Sequence, residues 1–171
     1  MPVESYPGNY PGTITSAPDV VRLAPASNLV CRARVKGIDA DGDVVYTVRG
    51  QALTFHRKLA SARVERTYSG TVEAGSPIRI EFLEPDVSAA LTTLREGEDA
   101  VLFLIGSDDR YRLTDFGSSK IPLDDPAALA SIRPVLTVAA SSGDVLVQNV
   151  ARAIATDLPP ELGNGRRPAH G

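Results

Sequence analysis

"ARVERTYSGTVEAGSPIRIEF", residues 62–82, is the stretch on which the fold turns. Val64 leads up to Tyr68, Ser69-Gly70 breaks the run, and Ile78, Ile80 and Phe82 alternate beyond it, the period-2 pattern of two strands around a turn. Pro77 suits the first position of the second strand. Alternation turns Arg63, Glu65 and Thr67 outward from the first strand and Arg79 and Glu81 outward from the second. Nothing reactive stands among these residues.

The same period extends upstream. In "LVCRARVKG", residues 29–37, Leu29, Cys31, Ala33 and Val35 alternate with Val30, Arg32, Arg34 and Lys36, which predicts a half-buried strand with Cys31 inward. "DADGD", residues 39–43, then offers Asp41-Gly42 as a hairpin turn into "VVYTVRG", residues 44–50, a second β-branched strand. "QALTFHRKLASARVERTYSG", residues 51–70, supplies one long bent strand or two short ones.

Downstream, "DVSAALTTLREG", residues 86–97, places Val87, Ala90, Leu91 and Leu94 at helical spacing between an Asp86 cap and Gly97, which predicts a short inserted helix. Residues 100–105 form a continuously apolar strand, expected to be buried on both faces, with a return strand at 110–114. "DDPAALASIRP", residues 124–134, suggests a helical turn begun by Pro126, followed by "VLTVAA" of undecided type. Leu146, Val150, Ile154 and Leu158, widened by Val147 and Ala151, make the apolar stripe of a closing amphipathic helix that Pro159-Pro160 stops.

A chain of 171 residues suits one domain with a core of its own. The expected organisation is an extended or disordered leader over 1–27, where prolines and polar residues show no period, one domain over 28–158, and a flexible tail over 159–171. A net charge of −3 provides no global basic field for counterion release, which counts against nucleic acid as a partner. A single cysteine excludes an internal disulfide framework. No apolar run is long enough for a transmembrane helix, and "MPVESYPGNYPGTITSAPD" has neither the charged start nor the apolar core of a signal peptide.

The elements add up to a mainly β chain: a small Greek-key, OB-like β-barrel with an inserted short helix and a C-terminal amphipathic helix. Their order resembles that of the netrin-like modules of tissue inhibitors of metalloproteinases and of bacterial envelope proteins with the same layout. The matching pieces are "RVERTYSG", then "IRIEF", then "LREGEDAVLFL", within residues 29–115. The resemblance implies the fold and a binding module of a periplasmic or secreted protein, whose signal would precede this sequence; a cytoplasmic protein is the alternative. The inhibitors grip their target's zinc through the amine and carbonyl of an N-terminal cysteine that disulfides fix in place; this sequence has neither, so that activity does not carry over.

Other candidate chemistry is sparse. Asp39, Asp41 and Asp43 partly resemble a calcium loop, but an EF-hand needs a glycine at its sixth position and a glutamate at its twelfth, where Val44 and Gly50 stand. Acid–base work at His56 needs a carboxylate or nucleophile within hydrogen-bond reach, and with no Gly-x-Ser-x-Gly elbow or histidine metal pair beside it "FHRK" reads as an outward basic strand segment. Ser118, Ser119 and Lys120 do not have the Ser-x-x-Lys spacing of a catalytic pair. Arg32, Arg34, Lys36, His56, Arg57 and Lys58 make a basic stripe if their strands are neighbours, with only Tyr46 and Phe55 nearby for base stacking. No cofactor or metal is expected.

The function expected is therefore non-enzymatic: a surface of Arg63, Glu65, Thr67, Arg79 and Glu81 presented to another protein or envelope component. The alternatives are an OB-type binder of single-stranded nucleic acid or oligosaccharide, and a hydrolase marked by His56 in a polar pocket beside a carboxylate.

Overall fold

Alternation in the sequence becomes a sheet that closes on itself. A computed structural model describes residues 3–5, 17–85 and 92–160, with positions 3–5, 48 and 85 described by their backbone alone. Among these residues the elements run β1 (Val3–Ser5), α1 (Val20–Ala26), β2 (Leu29–Val48), β3 (Gln51–Ser69), β4 (Pro77–Pro85), β5 (Asp99–Ser107), β6 (Arg110–Leu113), β7 (Lys120–Pro122), α2 (Pro126–Ala139) and α3 (Val145–Asp157).

Strand order is β1-β2-β3-β4-β6-β5-β7, and β2 also pairs with β5, so β2, β3, β4, β6 and β5 form a closed ring. Within the ring every pairing is antiparallel except β4 with β6. The chain is mainly β, with helices packed on one side.

The β2–β3 hairpin corrects the expected turn. β2 runs unbroken through "DADGD": Ala40 pairs with Lys58 and Asp43 with His56, leaving Asp41 and Gly42 opposite Arg57 as a bulge, with Gly42 at φ +87°. The turn lies at Arg49-Gly50, where φ values of +52° and +80° satisfy the primed turn that matches strand twist. Asp-Gly chemistry serves bulges as well as turns, which is why that pair misleads. Residues 51–69 form one long strand, not two short ones.

One sheet serves two cores. Leu29, Cys31, Ala33 and Val35 face the ring interior together with Ala60, Ala62, Val64, Ile78, Ile80, Phe82, Leu102 and Leu104. Val30, Val101, Phe103 and Ile121 face the other way, against Leu23 of α1, Ile132 and Leu136 of α2 and Val150 and Ile154 of α3. Residues 100–104 are each no more than 1% exposed, because β5 contributes to both cores. Every large apolar side chain buried this way contributes roughly 1.5–3 kcal/mol.

The helices depart from expectation in three places. Within the proposed leader, β1 pairs parallel with Val45–Thr47 and α1, capped by Asp19, buries Val20, Leu23 and Ala24. α2, capped by Asp125, continues through Pro134 and takes in most of "VLTVAA". The C-terminal helix forms as expected with its stripe buried, except Leu146, which is 40% exposed. Of the expected inserted helix, residues 86–91 lie outside the described residues; 92–95 are not helical, and Gly97, at φ +84°, sits in a turn. Positions 1–2, 6–16 and 161–171 of the expected leader and tail are likewise outside the description. No described helix is long and apolar enough to cross a membrane.

Candidate functional site

Inward packing of Ala60, Ala62 and Val64 on β3 turns Ser61, Arg63 and Glu65 to the outer face of the ring, and Ile78 and Ile80 do the same for Arg79 and Glu81 on β4. Register then decides which of them meet. Ser61 stands opposite Arg79 and Arg63 opposite Pro77, while on the other side of β3 the pairs Val35 with Ala62 and Gly37 with Ser61 bring Lys36 of β2 alongside. At the far side, Asp109 of the β5–β6 turn accepts the Arg79 backbone N–H at 2.7 Å and holds its guanidinium at 3.3 Å.

Lys36, Ser61, Arg63, Pro77, Arg79 and Asp109 line a cleft of about 600 Å³ over the buried Ala62 and Ile78. Of the surface expected from sequence, Arg63 and Arg79 come together here. Glu65, Thr67 and Glu81 do not line the cleft and have partners of their own: Glu65 lies 3.6 Å from Arg34, the Thr67 hydroxyl donates to the Val72 carbonyl, and Glu81 lies 3.5 Å from Arg110. Lys36, Ser61 and Asp109 were not part of the expected surface. Their outward positions were legible, but the register that assembles them was not.

The cleft differs in its charge pairing from most of the ring, although among the described residues Arg112 of β6 also reaches only a backbone carbonyl, that of Leu113. Arg32 and Arg34 share Asp99, Arg57 and Arg110 share Asp41, Lys58 faces Glu84, and Arg66 holds Asp157. The side chains of Lys36 and Arg63 make no hydrogen bond or ion pair with any described residue. The supposed basic stripe is thus largely neutralised, and exposed uncompensated cations remain at the cleft.

Asp41 is held by Arg57 and Arg110, and Asp43 approaches His56 Nδ1 at 2.8 Å; among the described residues no three metal-ligating side chains gather. His56 and Asp43 are an acid–base pair in contact, but they are 40% and 51% exposed on an open strand surface. Cys31 is fully buried, and burial pushes its thiol up to about 12, far from a thiolate at neutral pH. Ser119 is buried, donating to the Asp115 carbonyl and accepting from its N–H, while Lys120 binds Glu98 at 2.7 Å, so both are structural. A second cavity of about 420 Å³ lies between Lys120, Thr93 and the start of α2, and Glu98 and the Thr93 carbonyl already engage its lysine.

Compared with models of known protein families and with curated protein sequences, the chain matches none.

Proposed function

We propose that the chain is a non-enzymatic interaction module built on an OB-type Greek-key barrel, and that it engages a protein or envelope component through the outer face of β3 and β4. The ring order, with β4 and β6 as its one parallel pair, supports the OB reading. In that architecture β3 and β4 are the second and third barrel strands, the face such barrels use for ligands. The setting, the envelope or exterior of a bacterium, rests on the resemblance to netrin-like modules.

The observation that carries the binding reading is the cleft: concave, outward, and holding Lys36 and Arg63 without partners among the described residues. The same face would suit an OB-type binder of single strands, but bases need exposed rings to stack on, and Tyr46, Phe55 and Tyr111 are buried. A protein partner is the better match.

The test is a comparison of baits in extracts of the source organism: wild type, the face variant Arg63→Glu/Arg79→Glu, and Leu146→Ser on the helical side. A partner lost by the face variant and kept by the helical one supports the reading; capture indifferent to the face variant contradicts it.

A further inference from the structure

We infer that the cleft formed by Lys36, Ser61, Arg63 and Arg79 receives an extended acidic segment of a protein partner, with carboxylates spaced along it and its acidic end toward β2. The inference rests on the binding reading of this face and adds the chemistry and direction of the ligand.

The charge pattern is the first ground. Around the ring, Arg32, Arg34, Arg57, Lys58, Arg66 and Arg110 are each matched to a carboxylate of the chain itself. At the cleft, Lys36, Arg63 and the Ser61 hydroxyl have no side-chain partner among the described residues, so an ammonium, a guanidinium fork and a hydroxyl face solvent together over Ala62 and Ile78. A guanidinium fork matches the two oxygens of a carboxylate, and Lys36 contributes a point charge beside it.

Spacing is the second. Lys36, Arg63 and Arg79 lie on three successive strands, β2, β3 and β4. Lys36 lies beside Ser61, which pairs with Arg79, so this row of Lys36, Ser61 and Arg79 spans two strand spacings, about 10 Å, while Arg63, opposite Pro77, stands two residues along β3 from it; a single carboxylate or phosphate does not cover all three cations. Side chains on one face of an extended peptide recur about every 7 Å, which lets two acidic residues reach the row from a segment crossing the strands.

Direction is the third. Asp109 closes the β6 end of the row and already holds Arg79 at 3.3 Å. A carboxylate is repelled there, while a backbone N–H or a basic side chain is accepted, so the cleft discriminates between the two orientations of a peptide acidic at one end.

The test uses the full chain and three dye-labelled probes at low ionic strength: an octapeptide of alternating Glu and Gly, the same peptide with Gln for Glu, and an eight-nucleotide oligo-dT. The expected result is binding of the Glu peptide only, weakened by added salt. Lys36→Gln/Arg63→Gln should weaken it at least about tenfold, with unchanged melting temperature, while Arg152→Gln on α3 leaves it unchanged. Equal binding of the Gln peptide, indifference to the double variant, or tighter binding of oligo-dT overturns the inference. If no probe binds while capture of a natural partner still depends on Arg63 and Arg79, the acidic-segment inference falls and the binding reading stands.

Discussion

The Tyr68 hydroxyl donates to Oδ2 of Asp157 at 2.7 Å, and Arg66 Nη1 donates to Oδ1 of the same carboxylate at 2.8 Å. The end of β3 is therefore a fastening for the last turn of α3, with the Arg66 guanidinium 5.8 Å from the Tyr68 ring centre. Asp157→Ala leaves a half-buried hydroxyl without its acceptor and should cost about 1–3 kcal/mol, read as a lower denaturation midpoint. Burial first, and the Asp157 hydrogen bond second, push the Tyr68 phenol above its ordinary value of 10.0. A raised phenol contributes stability below pH 10 that is lost as pH climbs past it. In Asp157→Ala one tyrosine should ionise at lower pH in an alkaline absorbance titration; no movement would show that the bond does not act on Tyr68.

Gly70 follows that fastening at φ +112°, and a Cβ there would meet the Asn28 carbonyl oxygen at 2.7 Å. Gly75 has φ +94° with nothing within 4 Å. Both substitutions to Ala carry the left-handed backbone cost of roughly 1–2 kcal/mol. Only Gly70→Ala adds a clash with backbone, so it should destabilise distinctly more in urea melts; equal losses would contradict the close approach.

What could be read from the sequence was what period and composition control. The alternation of Leu29 to Val35 and of Ile78 to Phe82 gave the inward faces, and the stripe from Val147 to Leu158 gave α3. Prolines hid the rest: α1 contains Pro25 and α2 Pro134, and each is held by burial of Leu23 or Ile132 and Leu136 against the sheet, a tertiary effect that local propensity does not reveal. The candidate surface was half legible for a related reason. Outward positions follow from period 2 as far as Glu65, whereas pairing Glu65 with Arg34, setting Thr67 opposite the inward Cys31 and leaving Lys36 beside Ser61 and Arg63 depend on register, which irregularities at Arg32–Ala33 and Val35–Gly37 reset.

Lys120 and Glu98 form a nearly buried ion pair, with side chains 16% and 1% exposed. Lys120→Met removes the closest cation from the buried carboxylate and should cost about 3–5 kcal/mol. Adding Glu98→Gln removes the stranded charge, so the double variant should be more stable than Lys120→Met alone. A double variant as unstable as the sum of the two single variants would rule out coupling between them.

Cys31 makes stability depend on alkaline pH. Its thiol rises from 9.0 in the unfolded chain to about 12 in the fold through burial. The folded pKa is the higher one, so this contribution is fully present below pH 9 and declines as pH rises from there toward 12. Denaturant midpoints of wild type should fall more steeply above pH 9 than those of Cys31→Ala, and thiol reagents should label Cys31 only on unfolding; parallel pH profiles would contradict its burial.

The most direct measurement is an NMR titration of the isotope-labelled chain with the Glu-Gly octapeptide, following backbone amides. The account predicts shift changes centred on Lys36, Ser61, Arg63, Arg79 and Asp109, the residues that line the cleft with Pro77, Ala62 and Ile78. Changes centred instead on His56 and Asp43, or on the cavity beside Lys120, or none at saturating peptide, would contradict it.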